Sequence, residues 1–205
     1  MKQGFTLLEL LITIAILAIL TTVVVVAINP AESIKRARDT QRMSDLDNIK
    51  TGIILYIAEG DTDIGGNADG GCCQTVAGGV TCTAGAICKS DKCCTDATPS
   101  VCNTDCATTG TSYYDNDGEG WIPIDFTDMA GGAPLSHLPV DPVNTVASSY
   151  LYSYAANGTD FEINTVMEST YYANAADNGK NCVMEKDGGN SDSKYEVGTK
   201  LTIIN

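Results

Sequence analysis

The pattern of apolar and polar positions changes character at residue 28. From Phe5 to Ile28 the chain carries one charge, Glu9, and four threonines (Thr6, Thr13, Thr21, Thr22) among otherwise apolar or small side chains. Wound as an α-helix at ~1.5 Å per residue, this run spans ~36 Å, enough for a bilayer core of ~30 Å. A cleaved secretory signal has an apolar stretch of about 7–15 residues and a small-residue cleavage site. Neither is found here, so a retained membrane helix is predicted. Asn29-Pro30 interrupts it, because Pro30 lacks an N–H donor and disfavours helical geometry at Asn29. Asn29, Pro30 and Glu32 also read as the N-cap, first-turn proline and capping-box acid of a second helix. Leu46, Ile49, Ile53 and Tyr56, with Ile57 alongside, recur at helical spacing, and Gly60 offers a stop. This stripe is expected to pack on a sheet. Lys35 to Arg42 is charged nearly all round and is expected to line subunit contacts or the membrane surface rather than a core.

Further along, the period shortens to two. Trp121–Phe126 reads as an edge strand, given Pro123. Leu138-Pro139-Val140-Asp141-Pro142 reads as a rigid extended connector. Tyr150–Tyr154 and Phe161–Val166 alternate around Asn157-Gly158, which supplies the positive φ of a hairpin turn. Tyr195–Ile204 reads as a further strand. The fold class is α+β: a long N-terminal helix, half membrane and half amphipathic, packed on a small antiparallel sheet with a cysteine-rich loop insert. Residues 5–28 form the membrane part, 29–60 the amphipathic helix, 61–112 the insert, and 113–205 the sheet region with acidic loops.

Composition adds three constraints. The formal net charge of the 205 residues is −14. Residues 1–59 hold six basic and six acidic side chains, so the whole imbalance lies beyond them. A surface that acidic repels phosphate backbones, which excludes nucleic acid as a partner of the C-terminal part. Cys72, Cys73, Cys82, Cys88, Cys93, Cys94, Cys102 and Cys106 crowd into the insert, and Cys182 stands apart. In an exported chain this reads as a disulfide framework whose connectivity is not deducible. Cys72-Cys73 and Cys93-Cys94 are expected to pair outward, since closure between neighbours is strained. Cys182 is left either free or bonded into the insert. Thiolate metal binding is the alternative, but paired Cys-x-x-Cys knuckles are missing. Catalysis is not expected either. The single histidine, His137, sits beside Ser136 without a Gly-x-Ser-x-Gly nucleophile motif, and there is no phosphate-binding loop. Two acidic, glycine-bearing loops suit the oxygen preference of calcium, one with Asp115 and Asp117 and the other with Asp187, Asn190 and Asp192. Neither matches the EF-hand pattern.

A lone carboxylate in a membrane helix is costly, and Glu9 is explained if a cation meets it. The only candidate within the apolar zone is a free α-amino group near Phe5. Met1-Lys2-Gln3-Gly4, then Phe5-Thr6-Leu7-Leu8-Glu9, then the long apolar run, resemble the class III signal of type IV pilins and type II secretion pseudopilins. The resemblance implies a leader of residues 1–4, cleavage between Gly4 and Phe5 by a prepilin peptidase, and N-methylation of Phe5. It implies that Glu9 pairs with the terminal ammonium of a neighbouring copy in a helical filament. An assembly platform protein and an ATPase would drive growth from the inner membrane, with the C-terminal part outside the cytoplasm. The Leu-Pro-x-Asp-Pro stretch and tyrosine-rich hairpin resemble the major pseudopilin of type II secretion, a relative that carries calcium near its C-terminus. No cofactor is required on this reading, and calcium is the one ion implied. A surface pilus subunit, a secretion pseudopilin and a signal-anchored adhesive protein are the functions left open. One count points the other way. Lys35, Arg36, Arg38 and Arg42 follow the apolar run and only Lys2 precedes it, which by the positive-inside rule would place the C-terminal side in the cytoplasm.

Overall fold

The computed structural model describes residues 5–61, 63–67, 70–71, 74–76, 79–81, 87–90, 92, 112–145, 149–173 and 182–204. The first helix, α1 (Leu7–Ile28), starts at Thr6, whose side chain accepts the Glu9 N–H at 3.2 Å. The hydroxyls of Thr13, Thr21 and Thr22 donate to the carbonyls of Leu10, Leu17 and Ala18 at 2.8, 2.7 and 2.9 Å. These polar atoms are thus satisfied inside the helix, as a hydrocarbon solvent demands.

Asn29 breaks the rod. Its φ of 44° lies in the left-handed region, which ends α1, while its side chain accepts the Glu32 N–H and starts α2 (Pro30–Ala58). Asparagine tolerates that conformation better than most residues. The capping box is only half made, because the Glu32 carboxylate turns to Thr170 and the Tyr171 N–H. The predicted stripe is in place: Leu46, Ile49 and Ile53 are fully buried and Tyr56 nearly so. Gly60, at φ 106°, ends the helix with its N–H on Ile57.

Eight strands follow among the described residues. Two short ladders pair β1 (Gly66–Asn67) with β2 (Gly70–Gly71), and β3 (Gln74–Val76) with β4 (Gly79–Thr81). The main sheet is antiparallel with the order β5 (Cys88–Lys89), β6 (Ser153–Asn157), β7 (Asp160–Thr165) and β8 (Tyr195–Gly198). The insert is therefore more than a loop, since it supplies an edge strand. Ser90 fixes that strand: its hydroxyl accepts the Tyr152 N–H at 2.9 Å and meets Asn144 Oδ1 at 2.6 Å. In the β6–β7 hairpin only Gly158, at φ 65°, takes a positive φ; Asn157 pairs with Asp160 instead. A glycine at the first loop position is what a type II′ turn asks for.

The row Cys88, Tyr154, Ile163 and Val197 faces α2 and forms one core with Trp121, Ile122, Ile124 and Phe126. The Trp121–Phe126 stretch is not a strand. It is a bend leading to a 3-10 turn at Phe126–Asp128, with one isolated bridge at Asp117–Asp125. Pro123 cannot donate to a ladder, and burying four large side chains out of six suits a folded-over loop better than alternation. The final strand also stops early, at Gly198. Residues 199–204 turn back over the second face of the sheet, where the Ile203 and Ile204 N–H groups donate to Glu162 at 2.8 and 2.9 Å.

The charged half of α2 departs most from expectation. Asp39 and Arg42 are fully buried rather than lining an outer surface. Arg42 Nε and Nη2 donate to the two Asp141 oxygens at 2.7 and 3.0 Å, and Nη1 donates to Asp39 at 2.6 Å. Its guanidinium lies 5.0 Å from the Tyr150 ring. Burial works against the charged form, but hydrogen bonds and charge from Asp141 and Asp39 outweigh it and raise the Arg42 pKa. The expected extended connector is thus an anchor. Removing one member of a buried charge set leaves the others uncompensated, a loss of about 3–5 kcal/mol. Arg42→Ala should lower stability by that amount in chemical denaturation of the detergent-solubilised chain, whereas Ser44→Ala, on the exposed face of the same helix, should leave it nearly unchanged.

Candidate functional site

No described element of the fold covers α1. Phe5 is 76% exposed, Leu7 is 81% exposed, and every other residue of the helix through Val24 is exposed as well. A contiguous apolar surface of this size marks a membrane or protein contact. Among the described residues α1 is the one helix long and apolar enough to cross a bilayer. Glu9 lies in its first turn, exposed, and forms no ion pair with any described residue. The next basic residue along the sequence is Lys35, about 40 Å further on at helical rise. An ammonium supplied at Phe5 would sit one turn away. The leader and Gly4 lie outside the described residues.

Residues 1–25 match the family described as the prokaryotic N-terminal methylation motif. The chain carries a type IV pilin-like class III signal sequence. Neither a curated protein nor a solved structure matches the chain. The pilin-like signal and α1 together fit a membrane-anchored precursor.

The remaining candidate residues are dispersed. Cys88 is buried in the core and disulfide-bonded. Cys72, Cys73, Cys82, Cys93, Cys94, Cys102 and Cys106 lie outside the described residues. Cys182 is a free, buried thiol. His137 meets Ser136 Oγ at 2.9 Å through Nδ1 and is exposed.

The acidic loops serve local packing. Asp115 accepts the Ser112 N–H at 2.7 Å, and Asp117 accepts that of Glu119 at 3.2 Å. Gly120 packs so closely that a Cβ there would stand 2.0 Å from the Asp115 carbonyl oxygen. Asp187 accepts the N–H groups of Gly189 and Glu196 at 2.9 and 2.8 Å, one on each carboxylate oxygen. Asn190 and Asp192 are exposed. Among the described residues no group of three or more His, Cys, Asp or Glu is placed to hold one metal ion.

Sequence reasoning missed a second group on α2. Arg38 Nε donates to Glu168 at 2.7 Å and Nη2 donates to its other oxygen, which makes the pair bidentate. Asp39 accepts the N–H groups of Glu168 and Ser169 at 2.8 and 2.7 Å. The helical spacing of Glu32, Arg36 and Asp39 was visible, but their partners lie some 130 residues away.

The cysteine assignment has a direct check. Alkylation of the denatured, unreduced chain, followed by peptide mapping, should modify Cys182 and leave Cys88 unmodified.

Proposed function

We propose that the chain is a structural subunit of a type IV pilus-like filament that polymerises through α1. The observation that carries the reading is an apolar helix with no cover in its own fold and one carboxylate without a partner among the described residues. A prepilin peptidase cleaves after Gly4 and methylates the new amine of Phe5. In the filament that amine meets Glu9 of a neighbouring copy. Two unit charges about 4 Å apart attract by roughly 4 kcal/mol at an effective dielectric of 20, before desolvation is subtracted. An unpaired carboxylate among packed apolar helices is strongly unfavourable, so the pair selects one axial register between copies. A platform protein and an ATPase extract each subunit from the inner membrane. The disulfide at Cys88 supports a head outside the cytoplasm, where such bonds persist.

A second reading, a pseudopilin of type II secretion, rests on the Leu138–Pro142 stretch and the tyrosine-bearing hairpin. It uses the same helix chemistry and differs in what the filament moves.

N-terminal sequencing of the mature chain should begin at N-methylated Phe5. Glu9→Ala should be cleaved normally yet yield at least tenfold fewer filaments by electron microscopy. Normal filaments from that variant, or a mature chain beginning elsewhere, would overturn the proposal.

A further inference from the structure

Among the described residues the head has two apolar clusters of very different size, with Tyr195 packed against both. The main one gathers Trp121, Tyr154, Phe161 and the α2 stripe. The satellite has three buried members, Met167, Cys182 and Met184, with Met43 and Tyr172 packed against it. The strap Met167–Ala173, which includes the single-turn helix α3 (Thr170–Ala173), supplies Met167 to it and lays Tyr172 and Ala173 against it. A helix of four residues has no stability of its own, and none of its side chains is buried.

Charges hold the strap to α2. Glu168 receives Arg38 at 2.7 Å and lies 3.5 Å from Arg42 Nη1. Asp39 accepts the Glu168 and Ser169 N–H groups, as noted, and so acts as a cap for the turn. Glu32 accepts the Thr170 hydroxyl at 2.8 Å and the Tyr171 N–H at 3.2 Å. The Arg36 guanidinium sits 4.4 Å from the centre of the Tyr171 ring. Beside the strap lies an open groove of about 490 Å³ whose lining includes Asp47, Lys50, Tyr171, Tyr172, Cys182 and Tyr195.

We propose that the strap is a charge-held latch that opens by itself while the main core stays folded, and that opening it uncovers the Cys182 thiol and its methionine neighbours. Elements with few buried apolar contacts open at free energies well below the global one. The patch beneath is suited to exposure and re-covering, because methionine side chains adapt to changing surfaces. The latch does not depend on the filament reading; it concerns the head alone.

Acid should release it. The hydrogen bond from Arg38 holds the Glu168 carboxyl below its ordinary value, and the Thr170 hydroxyl does the same for Glu32. A carboxylate whose folded pKa is lowered contributes stability above its unfolded value, and that contribution is lost as the pH falls through the folded one. Facing these two acids are Arg36, Arg38, Asp39 and Arg42 from α2. Asp141 from the connector and Tyr150 flank Arg42.

The thiol supplies the readout. The full-length chain in detergent is treated with a pyridyl disulfide that reacts in acid, and the rate at Cys182 is divided by that of the denatured chain. Trp121 emission reports the main core in parallel. The expected result is a protected thiol at neutral pH and exposure in acid below the ordinary glutamate value of 4.5 while Trp121 stays native. Glu168→Gln should raise the neutral-pH rate by about tenfold or more, the order for losing one hydrogen bond to a charged group. If that variant fails to fold, Arg38→Gln is used in its place. The charge swap Arg38→Glu with Glu168→Arg should restore part of the protection. The latch is refuted if Cys182 reacts only as Trp121 unfolds, if its rate ignores Glu168→Gln and Arg38→Gln alike, or if Cys182 proves to be disulfide-bonded.

Discussion

A guanidinium cut off from water is stable only if acids surround it, and Arg42 draws three separate parts of the chain into that role. Asp39 comes from its own helix, Asp141 from the connector 99 residues away, and Glu168 from the strap. Each acid is engaged further. Asp141 accepts the Val143 N–H at 2.8 Å, and Asp39 caps the strap. Replacing such a set with apolar side chains is often no worse for stability, so its worth lies more in geometry than in energy. Asp141 and Glu168 come from outside α2, so Arg42 meets both only when the helix sits in one position on the head. The cation therefore fixes how the head is seated on the helix that leads to α1, and hence how an assembled array would present its heads.

That arrangement also accounts for three of the four basic residues after the apolar run. Arg36 pairs with Glu32 and Tyr171, Arg38 with Glu168, and Arg42 with Asp39 and Asp141. They are matched within the fold, so their abundance has a cause other than retention of that side in the cytoplasm. The stem shows the reverse balance. Its threonines are satisfied internally, its apolar surface is bare, and Glu9 is the charge left over. The head is closed to itself and the stem is not.

What could be read in advance follows from the range of each interaction. The α2 stripe, the Asn29 cap and the stop at Gly60 are set by neighbours a few residues apart and could be read from spacing; the β6–β7 hairpin could be read too, but its first strand is Ser153–Asn157 rather than Tyr150–Tyr154. The Glu9 anomaly was legible for a related reason, since one charge in an apolar run is conspicuous without any partner in view. The burial of Arg42 was not legible, because nothing near a run of alternating charges announces acids about 100 residues on. Trp121–Phe126 misled because four large side chains imitate alternation, whereas Pro123 and tight packing around Gly120 impose a bend. The burial of Glu162 and Glu196 was not read from the sequence either: the returning tail donates two N–H groups to Glu162, and the Ser191 N–H reaches Glu196.

The sheet itself argues for leaving assembly to the helix. An open strand edge is a ready template for pairing with another copy, and natural sheets blunt such edges. Here β6 would be open on one side, but the insert covers it with β5, a strand only two residues long. On the other side the Glu196 N–H of β8 is taken by the Asp187 carboxylate, which places a charge against the edge. Asp187 thus has a use that needs no ion: it denies a neighbour the backbone donor it would require. With both edges blunted, self-association through the main sheet is disfavoured, which favours the proposed assembly through α1.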